Sequence, residues 1–156
     1  MSDITFRKAG IEDLEQVAAL MIKLHNPQSL EGELTYEEAI EEYPYFLEQG
    51  VFFVACAGSR IIAFVHGGIR TDYVEGSQQY RDPKTGYIES LFVLSIYHKR
   101  GIARQLCKML EDWSKSQGAK EFASDAYVDN FDSIAFHKAI GFEVSKPIVG
   151  FIKRLK

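Results

Sequence analysis

The sequence is poor in the features that usually declare a chemistry. It has two cysteines, Cys56 and Cys107, each inside an apolar run. Two cysteines cannot build a disulfide framework, so reduced thiols and a cytoplasmic setting are expected. No C-x-x-C or H-E-x-x-H pattern occurs, and the four histidines are scattered as His25, His66, His98 and His137. No metal site is therefore expected. A G-x-S-x-G elbow and a G-x-x-x-x-G-K-S/T loop are also missing, which removes two common hydrolase and nucleotide motifs. The apolar stretch 51–57 is far shorter than the roughly 20 residues a membrane helix needs. The first eight residues, MSDITFRK, lack the apolar run of a signal peptide. Four prolines and 12 glycines in 156 residues exclude collagen-like or low-complexity chain.

What is present is ordinary globular composition, with 46% apolar and 26% charged residues. That predicts one domain over residues 1–156 with a core of its own. The net charge of -4 disfavours a general nucleic-acid binder. The charge is uneven, however. Residues 1–78 carry 13 acidic and 5 basic side chains, and residues 79–156 carry 9 acidic and 13 basic. Either this is uneven surface charge, or the halves serve ligands of opposite sign.

Periodicity supplies the elements. Alternation at residues 4–7 reads as a strand, and Ile11, Leu14, Val17, Ala18, Met21 and Leu24 recur at helical spacing. Asn26-Pro27 should end that helix. Thr35-Tyr36-Glu37-Glu38 is a capping-box pattern opening a second helix, which Pro44 should break or kink. Seven glutamates and no Lys or Arg lie between residues 31 and 48, as a solvated face or as a wall for a cationic ligand. Residues 51–55 and 60–70 form a hairpin through Gly58-Ser59. Residues 73–86 read as a loop with room to move, and 87–94 as a strand. A helix follows from Gly101 to Gly118, with Ile102, Leu106, Leu110 and Trp113 on one stripe. Residues 122–126 are a strand, 131–140 a helix capped by Asp129-Asn130, and 142–144 and 148–155 final strands. The order is β-α-α-β-β-β-α-β-α-β-β, a mixed α/β domain.

One strand-to-helix turn carries chemistry. His98-Lys99-Arg100-Gly101-Ile102-Ala103 opens a helix, where unpaired amides and the positive end of the dipole can hold phosphate oxygens. Gly101 allows close approach, and Lys99, Arg100 and Arg104 add positive charge. By itself this is a moderate signal.

Val93-Leu94 followed by Gly101-Ile102-Ala103 resembles the coenzyme A turn of the GNAT acetyltransferases, Q/R-x-x-G-x-G/A. Asn130, then His137-Lys138-Ala139-Ile140-Gly141-Phe142, resembles the superfamily's later segment N…Y-x-x-x-G-F. Residues 69–76, 88–94, 122–126 and 137–142 are also similar to segments of the bacterial aminoglycoside 6′-N-acetyltransferases. The likeness covers residues 60–156 and is weak over 26–50. His98 replaces the usual Arg or Gln, Ser90 replaces a Gly, and His25 lies near an expected Trp. The resemblance implies an α+β type fold: one GNAT-like domain whose mixed, mostly antiparallel sheet is flanked by four helices. It also implies acetyl-CoA as cosubstrate and a small cationic amine as acceptor.

Roles follow from that resemblance. Amine attack on a thioester needs a base, an oxyanion donor and a proton for the thiolate. Glu89, a carboxylate amid apolar strand residues, is the base through a water, or else a solvent-facing side chain. The amide near Val93 is the oxyanion donor. His137 is the proton donor to the thiolate, or a helix histidine bonded to a carbonyl. The cosubstrate is expected on Val93, His98, Lys99, Arg100, Gly101, Ile102, Ala103 and Arg104. Asn130 would bond pantetheine, serve as a helix cap, or do both. Tyr73 and Asp125 would bind the acceptor, or pack a loop and cap a strand end. Cys56 and Cys107 are expected to be packing residues. Two other readings stay open: a different acceptor (polyamine, small amine or protein amine), and a non-catalytic acyl-CoA-binding module. A homodimer through the last strand is a further expectation from the subgroup.

Overall fold

The computed structural model describes residues 3–26 and 32–156. Its elements are β1 (Ile4–Lys8), α1 (Leu14–His25), α2 (Tyr36–Gln49), β2 (Val51–Ala57), β3 (Arg60–Arg70), β4 (Thr85–Val93), α3 (Ile102–Ser116), β5 (Glu121–Ala123) and α4 (Phe131–Ala139). The sheet order is β1-β2-β3-β4-β5. β1 to β4 are antiparallel neighbours, and β5 joins parallel to β4 after the α3 crossover.

The sheet is covered on both faces, which is why β2 is apolar at every position. Val51, Phe53 and Ala55 face a core shared with Ile62, Val65, Ile88 and the α3 stripe Ile102, Leu106, Leu110. Phe52, Val54 and Cys56 face the other core, with Val17 and Leu20 of α1, Tyr43 of α2, and Phe64. Phe136 of α4 and Ile140 just past its end pack on the α3 side.

Local signals behave as their chemistry dictates at several ends. Thr35 Oγ1 accepts from Glu38 N–H at 3.2 Å, and Glu38 Oε2 accepts from Thr35 N–H at 2.9 Å, completing the capping box. Asn130 Oδ1 caps α4 by accepting from Ser133 N–H at 3.2 Å. Gly118 and Gly141 take φ of 92° and 108° just past α3 and α4.

Four expectations need correction. α2 runs unbroken through Pro44; its neighbour Tyr43 is fully buried and donates to Gly10 O at 2.7 Å, so tertiary packing outweighs the lost amide. Gly86 belongs to β4 rather than to the loop, and a Cβ there would meet Ser114 Oγ at 2.3 Å, so it is a contact point for α3. The loop before β4 is pinned to the sheet: Glu121 accepts from Ser77 Oγ, Gln78 N–H and Gln79 Nε2. The strands expected at 142–144 and 148–155 do not form. A strand exists only against a partner edge, and residues 142–156 pair with none in a single chain. Pro27 and Glu31 lie outside the described residues.

Arg7 and Asp13 make the most buried ion pair of the N-terminal region, bidentate at 2.8 Å, with the Asp13 side chain 6% exposed. The Arg7 hydrogen bonds hold the Asp13 carboxyl below its ordinary range; burial opposes this, and the Gly10 N–H adds to it. A depressed folded value means that the stabilisation is complete above the unfolded pKa of about 3.9. It is lost as pH falls through the lower folded value. Asp13→Asn should therefore melt lower at neutral pH and show a flatter loss of Tm between about pH 5 and pH 2. Equal acid slopes in calorimetry would refute the linkage.

Candidate active site

The sheet opens where β4 and β5 part. They pair only from Thr85↔Glu121 to Tyr87↔Ala123, while β4 continues along β3 to Val93. Leu94 N–H donates to Ile62 O on β3 at 3.0 Å. Successive residues of a strand point their amides to opposite sides, so the Val93 N–H and C=O turn away from β3, toward the opening. His98 Nε2 meets Val93 O at 2.7 Å, so this ring nitrogen is engaged with the backbone of the same turn.

Beyond it, Lys99 and Gly101 take φ of 63° and 78°, and α3 begins at Ile102. Nothing lies within 4 Å of a Cβ built on Gly101. A ligand can thus approach that backbone and the first amides of α3, which have no intrahelical partner. The Ile102 side chain is buried in the core, so only its backbone faces the turn. Lys99 and Arg100 are exposed, with the Arg100 guanidinium 5.1 Å over the Tyr97 ring. Arg104 reaches Ala139 O at 3.4 Å, tying α3 to the end of α4. Helix dipole, open backbone and cations suit a phosphate-bearing ligand.

On the opposite side of β4 lies a cavity of about 510 Å³ between α1, α2 and the sheet, with Glu89 and Ser90 in its wall. A β-bulge puts them there. His66 pairs with Ser90 but Gly67 pairs with Ile88, so Glu89 is the extra residue on β4. Leu91 and Val93 pack toward α3. Unbroken alternation back from them would aim Glu89 at the α3 core. The extra residue turns it to the cavity instead.

Glu89 is not the half-buried carboxylate that its apolar neighbours suggest. Its side chain is 38% exposed, and both oxygens accept from Arg70, at 2.9 and 3.0 Å. The Arg70 guanidinium lies 3.4 Å over the Tyr87 ring, and Tyr87 Oη donates to Asp125 Oδ2. Burial and the neighbouring Asp125 carboxylate push the Tyr87 phenol up to about 12, so it is a donor at neutral pH. Glu89, Arg70, Tyr87 and Asp125 form one chain of contacts from the cavity to the end of β5. His137 uses both ring nitrogens: Nδ1 lies 2.7 Å from Ser133 O, and Nε2 lies 2.8 Å from Ser124 Oγ. Tyr73 sits in the loop before β4, 48% exposed, and stacks on Tyr80 with ring centroids 5.9 Å apart.

Sequence reading missed Arg70, Tyr87, Ser124 and His66. His66 is buried, stacked on Phe52 at 4.3 Å, and burial pushes its imidazole down to about 4. It is a neutral wall of the cavity. Of the acidic segment's described glutamates, only Glu42 lines the cavity. The Cys56 and Cys107 thiols are buried and unpaired.

The sheet thus splits between its parallel neighbours β4 and β5, with the open turn before α3 beside the split. The Acetyltransferase (GNAT) family model matches residues 18–142, and the chain belongs to that family. It is 33% identical over 102 residues to an aminoglycoside N(6′)-acetyltransferase type 1 of Acinetobacter haemolyticus, covering 65% of this chain and 68% of that one. It is 39% identical over 94 residues to the Acinetobacter baumannii enzyme of the same name, covering 60% and 62%. The solved structure of AAC(6′)-Iy with a bisubstrate analogue, CoA-S-monomethyl-acetylneamine, superposes with a TM-score of 0.85. It is 27% identical, with 99% of this chain and 100% of that chain covered.

Proposed function

We propose that this acetyltransferase moves an acetyl group from acetyl-CoA to the 6′-amine of an aminoglycoside by direct attack. The observation that carries the reading is the β4 bulge. It turns Glu89 into a cavity on one side of the strand, while the Val93 amide faces the opening on the other side. An acceptor amine and a thioester brought to β4 from opposite sides meet at that strand. Similarity to enzymes named for the 6′-amine supports the choice of acceptor.

In this reading the α3 turn, with Lys99, Arg100, Gly101, Ile102, Ala103 and Arg104, holds the phosphates. His98 orients the Val93 peptide, and the Val93 N–H stabilises the developing oxyanion. Removing a donor of this kind typically costs about 3 kcal/mol of transition-state energy. Asn130 caps α4 and offers its amide to pantetheine. Tyr73, Asp125 and Glu42 meet the cationic acceptor. Glu89 takes the first proton from the acceptor's ammonium through a water, released from Arg70 as the acceptor's charge arrives. His137 serves the leaving sulfur.

Thiol release from acetyl-CoA tests this. Kanamycin or tobramycin should give rapid release, and spermidine or a peptide N-terminus slow release. Release with spermidine alone would move the acceptor to polyamines; tight coenzyme A binding with no release would leave a binding module.

The chain is also proposed to be a cytoplasmic homodimer. Val144, Ile148, Val149, Phe151, Ile152 and Leu155 are 65–93% exposed in the single chain, and large apolar side chains exposed together in one segment are what an interaction surface offers. A second copy's sheet edge can supply the missing strand partner. Light scattering should give twice 17.7 kDa; a monomer at micromolar concentration would overturn this.

A further inference from the structure

We propose that the Ser124 hydroxyl is a two-way proton relay between the reacting atoms and His137. The inference rests on the acetyltransferase reading above and assigns a role to a residue that the motifs left unused.

The hydrogen bonds fix the direction of the ring. A carbonyl only accepts, so with Ser133 O at 2.7 Å the His137 Nδ1 carries the hydrogen. The neutral imidazole then has its lone pair on Nε2, and Ser124 Oγ, 2.8 Å away, is the donor to it. The hydroxyl has spent its hydrogen on the ring and keeps its own lone pairs for a further donor. His137 is thereby prepared to receive a proton, and only through Ser124, because both of its nitrogens are engaged within the protein.

Placement matches this. Ser124 is the first residue after β5, where β5 leaves β4, and the next residue, Asp125, is held by Tyr87. The hydroxyl therefore stands at the mouth of the opening, half-buried as the ring is. The ring is packed between Phe136 and Phe142, with centroids 5.9 and 5.3 Å away. Ser133 and Ser124 complete its partners, and among the described residues no carboxylate or ammonium is hydrogen-bonded or ion-paired to it. An imidazolium formed here has no carboxylate to hold the proton against its return.

The protons balance. An ammonium acceptor must lose two protons to become an amide, and the thiolate must gain one. Glu89 takes the first and releases it to solvent. The amine lone pair then forms the C–N bond while the carbonyl pair moves to oxygen. The excess proton on nitrogen passes to Ser124 Oγ as the hydroxyl's own proton passes to His137 Nε2. When the C–S bond breaks, its electron pair goes to sulfur and the carbonyl re-forms. The Nε2 proton returns to Oγ, and the hydroxyl proton goes to sulfur. Amide and thiol leave, and the ring is neutral again.

The test compares wild type, Ser124→Ala and Ser124→Thr by thiol release, melting and ¹⁵N NMR of the imidazole. Ser124→Ala should lower kcat about 100-fold, the scale of one lost acid-base group. KM for both substrates should stay within about twofold, since uniform binding is untouched. Ser124→Thr, which keeps the hydroxyl, should recover most of kcat. If the alanine variant fails to fold, the threonine variant and the NMR carry the test. The wild-type ring should show the Nδ1–H tautomer without any substrate; the Nε2–H tautomer would overturn the relay whatever the activity. So would an undiminished kcat in a folded Ser124→Ala, a folded Ser124→Thr as slow as alanine, or an acetyl ester on Ser124 in quenched enzyme. A wild-type chain that releases no thiol with any amine would instead overturn the acetyltransferase reading, and the relay with it.

Discussion

Gly67→Ala is expected to lower the melting temperature by about 6–12 °C, from a loss of about 3 kcal/mol at 2–4 °C per kcal/mol for a chain of this length. A Cβ at Gly67 would lie 2.3 Å from the Tyr87 carbonyl oxygen and 2.5 Å from Leu110 Cδ2. Leu110 is fully buried in the core beneath. Neither obstacle yields cheaply: one is the backbone of the neighbouring strand, and the other is a helix side chain at close-packed density. Relief requires β4 to move off β3 at the bulge. Since the bulge aims Glu89, turnover should fall together with Tm. Unfolding by heat and by urea checks this, and a wild-type Tm would mean that the α3 packing is looser than the geometry indicates. Gly58→Ala is the control: its Cβ meets nothing within 4 Å, although a φ of 62° still carries some strain.

Glu89→Gln should lower kcat about 100-fold, the ordinary worth of a general base. Stability should hardly change, because Arg70 and Glu89 are 37% and 38% exposed, and such pairs contribute little. Acetyl-CoA binding should stay within about twofold of wild type, since Glu89 faces the cavity rather than the α3 turn. Full activity in a folded Glu89→Gln would remove Glu89 from the mechanism. A large loss of Tm would make it a structural ion pair instead. Gly67→Ala and Glu89→Gln thus separate the two jobs of the bulge, shaping the sheet and presenting the carboxylate.

Much of this was legible in the linear chain because its causes are local. The capping box at Thr35 and Glu38 involves residues three apart, and the α3 stripe repeats every turn. Gly101 and Gly118 sit at helix ends where only a left-handed residue fits easily. The α3 turn could be read as an anion site for the same reason: its amides and its cations lie within six residues. Contacts that span long separations were not legible. Arg70 reaches Glu89 across 19 residues, and Tyr87 reaches Asp125 across 38. Ser124 lies in a segment that resembles the 6′ subgroup, but its contact with His137, 13 residues away, exists only in the folded chain.

The apolar alternation after residue 141 shows where a reading of pattern alone fails. Periodicity reports that a segment could be a strand, but not whether an edge is present to receive it. In one chain residues 142–156 join neither outer edge of the sheet, at β1 or at β5, and form no ladder. Pro44 fails in the opposite sense, since α2 continues through it on the strength of the buried Tyr43 anchor.

The sequence by itself determined the elements from β1 to α4 and the chemistry available at the α3 turn, because each rests on neighbours within a turn or on side-chain polarity. Only the tertiary structure decided where the reactive groups point. A single extra residue in β4 sends Glu89 to the cavity rather than to the core, and the ring of His137 is oriented by a carbonyl and a hydroxyl on two different elements. Orientation of this kind is set by pairing register and by contacts between distant segments, and those come into being only when the sheet is assembled.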